Sequence, residues 1–77
     1  MKIKGFVVNP LGENCYVAYD GTKEGVIIDC GCSTESEWTA IKSFIASENL
    51  SIKHLLNTHL HFDHVWGNAF VYRDCLL

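Results

Sequence analysis

Three of the chain's four histidines stand within one six-residue run, His59-Leu60-His61-Phe62-Asp63-His64. Histidines two positions apart can turn both imidazoles to the same side of an extended or tightly looped backbone. Asp63 and His64 follow at once and add a carboxylate and a third imidazole. Neutral imidazole combined with carboxylate suits zinc, iron or manganese, whereas calcium takes oxygen ligands throughout. His59, His61, Asp63 and His64 are therefore candidate metal ligands. The competing reading is a polar loop carrying histidines by chance. A helical zinc-protease motif is excluded, because it needs two histidines four apart with a glutamate directly after the first, and His61 is followed by Phe62.

Such a run needs elements that place it. The stretch 2–8 is rich in β-formers and ends at Asn9-Pro10, a turn signal. Asn14–Tyr19 reads as a second strand. Asp20-Gly21-Thr22-Lys23 has hairpin chemistry, and Gly25-Val26-Ile27-Ile28-Asp29, apolar on both faces, reads as a third strand in the interior of a sheet. These three form an antiparallel meander. Thr34 with Glu37 three residues on makes a capping box, and Trp38, Ile41, Phe44 and Ile45 share one helical face, so a helix is expected over about 35–48 with Asn49 as its stop. Those four side chains read as core. The helix leads by a crossover into Ile52–Asn57, a strand parallel to the third. The metal run then lies past the C-terminal edge of a sheet, where α/β sites collect. For Val65–Tyr72 both a helix start and a loop stay open, with Gly67-Asn68 opposing a long regular element. The expected class is α/β with a mixed sheet, in the order β-β-β-α-β followed by a metal loop.

Composition limits the rest. Seventy-seven residues allow one small domain or part of one, and with 48% hydrophobic and 19% charged residues the chain is apolar enough to fold. A chain of this size buries only about 60% of the surface its unfolded form exposes, so a metal, disulfides or a partner matter to its stability. The net charge of −3 offers no footprint for nucleic acid or an anionic membrane. No apolar run has transmembrane length and no secretion signal is seen, so a soluble, cytoplasmic protein is expected. The four cysteines could pair in three ways, but reduced, structural thiols are the expectation in that compartment. Cys15 lies in an apolar run, and Cys30-Gly31-Cys32 lacks the two-residue spacing of a zinc or redox pair.

The run Thr58-His59-Leu60-His61-Phe62-Asp63-His64 resembles the signature of the metallo-β-lactamase superfamily. Asn14-Cys15-Tyr16-Val17, Val26-Ile27-Ile28-Asp29-Cys30-Gly31, Leu55-Leu56-Asn57 and Val65-Trp66-Gly67-Asn68 agree with it, most closely with the hydroxyacylglutathione hydrolase (glyoxalase II) branch. The resemblance implies that His59 and His61 serve one metal and that Asp63 and His64 serve a second. Zinc is the expected ion, one or two per site, with iron or manganese as alternatives. It further implies that Asp29 hydrogen-bonds and orients the metal loop, the alternative being an ordinary strand-end aspartate. The activity implied is metal-assisted hydrolysis of a small thioester or ester such as S-lactoylglutathione, with Asp63 also orienting the attacking water.

Members of that family are four-layer αββα sandwiches of two related halves, and residues 1–77 correspond to the N-terminal half or less. The portion supplying the remaining ligands is not matched: residues 68–77 hold Asp74 and Cys75 but no histidine, and His54 reads as a residue on a sheet face or edge. Two ligands per metal fall short of the three or four that stable zinc sites use. Three readings follow: part of a hydrolase, a short chain that completes itself as a homodimer, or a non-catalytic interaction module retaining part of the site.

Overall fold

The structure, a computed structural model, describes residues 1–57 and 67–76. Its sheet has four strands in the order β1-β2-β3-β4: β1 (Lys2–Val8), β2 (Glu13–Tyr19), β3 (Glu24–Ile28) and β4 (Ser51–Leu56). β1 and β2 are antiparallel, as are β2 and β3, while β4 runs parallel to β3. Between them α1 (Glu35–Ser47) makes the crossover. The expected mixed sheet, strand order and interior position of β3 are all found.

Local chemistry accounts for the joints. At the first turn the Asn9 carboxamide accepts from the Leu11 N–H at 2.8 Å and Gly12 N–H donates to Asn9 O at 3.2 Å. Between β2 and β3, Asp-Gly does not make a two-residue hairpin. Asp20 instead caps the turn by accepting from Thr22 N–H, and Lys23 takes the left-handed conformation at φ 69°. Asn49, at φ 55°, ends α1 as read from the sequence. Thr34 Oγ1 accepts from Glu37 N–H at 3.2 Å, the first half of the capping box. The second half differs: the Glu37 carboxylate accepts from the N–H groups of Ser33 and Asn9, each at 2.8 Å. It thereby ties the first turn to the helix start.

Alternation then decides the two faces of the sheet. Cys15, Val17 and Tyr19 from β2, Ile27 from β3 and Ile52 from β4 pack against Trp38, Ile41 and Ile45 of α1, with Phe44 half-buried beside them. Phe44 meets Phe6 and Tyr19 edge-on, both at 5.8 Å. A bulge opposite Gly25 and Val26 interrupts the alternation of β4, so that after Ile52 it is Leu55 rather than His54 that returns to the helix side. The opposite face carries Ile3, Val7, Tyr16, Ala18, Val26, Ile28 and Leu56, and no described element covers it. Ile3 is 66% exposed, Val7 74% and Leu56 53%.

Past the segment 58–66 the chain resumes with a one-turn helix, α2 (Asn68–Val71), continued by a π-helical turn (Tyr72–Leu76). Gly67 stands at the N-cap of this helix, so of the two readings left open the helix start is found from Asn68 on, and it is short, as Gly67-Asn68 requires. Phe70 stacks on Trp38 at 6.3 Å, and the Trp38 indole N–H donates to Asp74 at 2.7 Å. Arg73 joins Asp74 and Glu35, fastening the C-terminal turn to the start of α1.

Candidate functional site

The motif residues His59, His61, Asp63 and His64 lie outside the described residues, as do Phe62 and Trp66. What the structure gives is the frame on either side of them. β3 ends at Ile28, and the next residue, Asp29, is buried in the left-handed conformation at φ 57°, which aspartate tolerates better than most side chains. Its N–H donates to Leu56 O at 2.8 Å, beside the last residue before the segment. Cys30, the following residue, accepts at its carbonyl from Gly67 N–H, also at 2.8 Å. Two consecutive residues at the end of β3 thus hold both the exit from β4 and the return of the chain at Gly67.

The return is tight. A Cβ on residue 67 would stand 2.6 Å from Cys30 Sγ, 2.8 Å from Cys30 O and 2.9 Å from Cys32 N. Glycine is therefore required by space rather than by backbone angle, since φ at Gly67 is −89°. From the other side, the Asn9 side chain donates to Gly31 O at 3.1 Å and secures the same turn. Its place before Pro10 marks Asn9 only as a turn residue, and nothing local signals a partner 22 positions away.

Under that turn lie three buried thiols. Cys15, Cys30 and Cys32 are all free and fully enclosed, with Cys30 Sγ 3.8 Å from Cys32 Sγ. Hydrogen bonds from Cys15 and Cys32 hold the Cys30 thiol well below the ordinary range. The same contacts with Cys30, with burial next, push Cys15 and Cys32 up. The reading of unbridged, buried cysteines agrees with this arrangement.

The donor chemistry of the motif fits a zinc-class ion, and two buried oxygens add to that. The side-chain carbonyl oxygens of Asn57 and Asn68, one at each end of the segment, are buried without a hydrogen-bond partner. Buried acceptors of this kind call for a donor or a cation. Among the described residues no group of three or more His, Cys, Asp or Glu is arranged to hold a metal. His54 joins no such group: it is exposed on β4, beside a shallow hollow of about 430 Å³ shared with Met1, Ala18, Val26 and Lys53. Also among the described residues, no helix is long and apolar enough to cross a membrane.

A mixed sheet backed by one helix, with a histidine-rich segment sprung from the end of its parallel pair, defines a class. The profile of the metallo-beta-lactamase superfamily matches residues 8–74, and the chain belongs to that superfamily. Its β-β-β-α-β order corresponds to part of the family's sandwich. Among solved structures it is similar to the BLEG-1 B3 metallo-beta-lactamase, at 33% identity and a TM-score of 0.80, over 94% of this chain and 32% of that one. Among curated proteins it is similar to the beta-lactamase-like protein 2 homolog of Caenorhabditis elegans, 39% identical over 57 residues, or 73% of this chain and 19% of that protein. The chain spans about a third of the one and a fifth of the other. Neither relative's name points to the hydroxyacylglutathione branch that the motif resembles.

Proposed function

We infer that residues 1–77 act as the N-terminal, motif-bearing part of a metallo-β-lactamase-type hydrolase domain, and that alone they form a non-catalytic unit retaining part of the metal site. One observation carries this reading: 94% of the chain superposes on only 32% of a metallo-beta-lactamase. The sheet face bearing Ile3, Val7 and Leu56, each more than half exposed, supports it, since large apolar side chains left open along a sheet face mark a surface to be covered.

Within the whole domain, His59 and His61 would hold one ion and Asp63 and His64 a second, with further protein ligands needed for each. Bound zinc would supply Lewis acidity for hydrolysis of an ester or thioester of a small molecule. Asp63 would also orient water. Asp29 would position the motif segment, a part consistent with its burial and with its N–H bond to Leu56 O.

The test is zinc titration of the purified 77-residue chain, with elemental analysis after desalting, mass in solution, and a thioesterase assay on S-lactoylglutathione. The expected result is at most one weakly held zinc per chain, lost on desalting, and no turnover above the metal-free rate. Two zinc ions retained per monomer together with hydrolysis would overturn the reading.

A further inference from the structure

Cys30 and Cys32 stand apart from the proposed metal chemistry, and their geometry is unusual for buried structural thiols. Most enclosed cysteines act as small hydrophobes with no sulfur neighbour. Here Cys30 Sγ lies 3.8 Å from Cys32 Sγ, and Cys15 is also near enough to act on its titration. Both residues belong to the turn after β3, outside regular structure, and the next residues, Ser33 and Thr34, are exposed. A local opening of this turn reaches both sulfurs without breaking a strand. Cys15, in contrast, is fixed in β2 opposite Phe6.

We propose that Cys30 and Cys32 form a dithiol that hydroperoxides oxidise to an intramolecular disulfide. Cys30 sulfur attacks one peroxide oxygen. The O–O bond breaks, Cys30 becomes a sulfenic acid, and the other oxygen leaves as water carrying the thiol proton. Cys32 sulfur then attacks Cys30 sulfur, the S–S bond forms, the S–O bond breaks, and a second water departs with the Cys32 proton. Two thiols give up two electrons in total and one hydrogen peroxide becomes two waters. Cys30 is the attacking residue because its neighbours' hydrogen bonds favour the thiolate, the reactive form.

Closing the bond shortens the sulfur separation from 3.8 Å to about 2.0 Å. The movement occurs where Gly67 is seated, since Cys30 Sγ, Cys30 O and Cys32 N are the atoms nearest its missing Cβ. A disulfide across a single intervening residue is strained, and strained disulfides are the readily reduced ones. The modification is thus reversible by a dithiol, and it acts on the anchor of the ligand-bearing segment whether or not metal is bound.

The experiment treats the folded chain with hydrogen peroxide, denatures it, alkylates the remaining thiols and maps the peptides by mass spectrometry. The expected product lacks two hydrogens, carries label on Cys15 and Cys75 only, and regains all four labels after dithiothreitol. Cys32→Ser should stop at a sulfenic acid on Cys30 that dimedone traps, and Cys75→Ser should react like the parent. Where Cys32→Ser does not fold, the parent map decides alone. Four labelled cysteines after peroxide, a bridge between any other pair, or oxidation confined to half-buried Cys75 would each overturn the proposal.

Discussion

Replacing Gly67 by alanine tests the frame of the motif segment most directly. The added methyl meets one sulfur and two backbone atoms at 2.6–2.9 Å, closer than Cβ contacts occur, and backbone atoms cannot rotate away as a side-chain tip can. Overpacking of this kind costs about 1–3 kcal/mol. If residue 67 moves off the turn, its hydrogen bond to Cys30 O is lost as well, about 1 kcal/mol more. The expected destabilisation is about 2–4 kcal/mol, and in a domain of this size each kcal/mol lowers Tm by about 4–8 °C. Two other glycines serve as controls. Gly21 has nothing within 4 Å of its would-be Cβ, so Gly21→Ala should stay within about 0.5 kcal/mol of the parent. Gly12 is equally open but sits at φ +71°, so Gly12→Ala should cost about 1–2 kcal/mol from backbone strain alone. Urea unfolding followed by far-UV circular dichroism ranks the three. Equal stability for Gly67→Ala and Gly21→Ala would show that residue 67 does not press on the Cys30–Cys32 turn.

Arg73 holds the Glu35 and Asp74 carboxylates below their ordinary range, with the Trp38 N–H adding to the effect on Asp74. Groups whose folded-state pKa is depressed lend stability above their unfolded values and lose it as pH falls. Unfolding midpoints should therefore drop as pH falls below about 4, and Arg73→Gln should flatten that limb at low ionic strength. An unchanged acid limb would count against the network. On the uncovered sheet face, Val7→Lys with Leu56→Lys should lower any self-association of the chain seen in sedimentation velocity while changing stability by under about 0.5 kcal/mol per site. Self-association that survives both lysines would place the contact elsewhere. Thr34→Ala should cost about 1 kcal/mol by removing the cap of α1, read as a shift in urea midpoint at constant slope.

The fold was legible wherever a single periodicity settled it. Ile27 between two apolar neighbours marked an interior strand, and Trp38, Ile41 and Ile45 marked one helix face, because burial on one side imposes a spacing that sequence displays. What escaped detection depends on contacts between distant positions. The Glu37 carboxylate turns to Asn9 rather than completing its capping box, since the first turn arrives beside the helix only after β1 and β2 have paired. The thiol cluster is hidden for the same reason, as Cys15 reaches Cys30 only through the β2–β3 register. Gly67 read as punctuation because its neighbours in space, Cys30 and Cys32, are more than thirty positions away. The candidate ligands rest on sequence alone, proposed from residue type, spacing and resemblance, while the described residues show what holds Leu56 and Gly67 on either side of them.

That fastening is close to balanced. Bringing Leu56 and Gly67 to one place closes a span of ten residues, whose length-dependent entropic cost is on the order of 2 kcal/mol. The two bonds that do it, Asp29 N–H to Leu56 O and Gly67 N–H to Cys30 O, are each 2.8 Å and contribute net about 1 kcal/mol apiece. Gain and cost nearly cancel, so these two bonds hold the ends of the span together at little net cost. A partner that covers Val7 and Leu56 and an ion held past β4 would both favour the folded sheet, so the partner should tighten zinc binding and zinc should tighten the partner by the same factor.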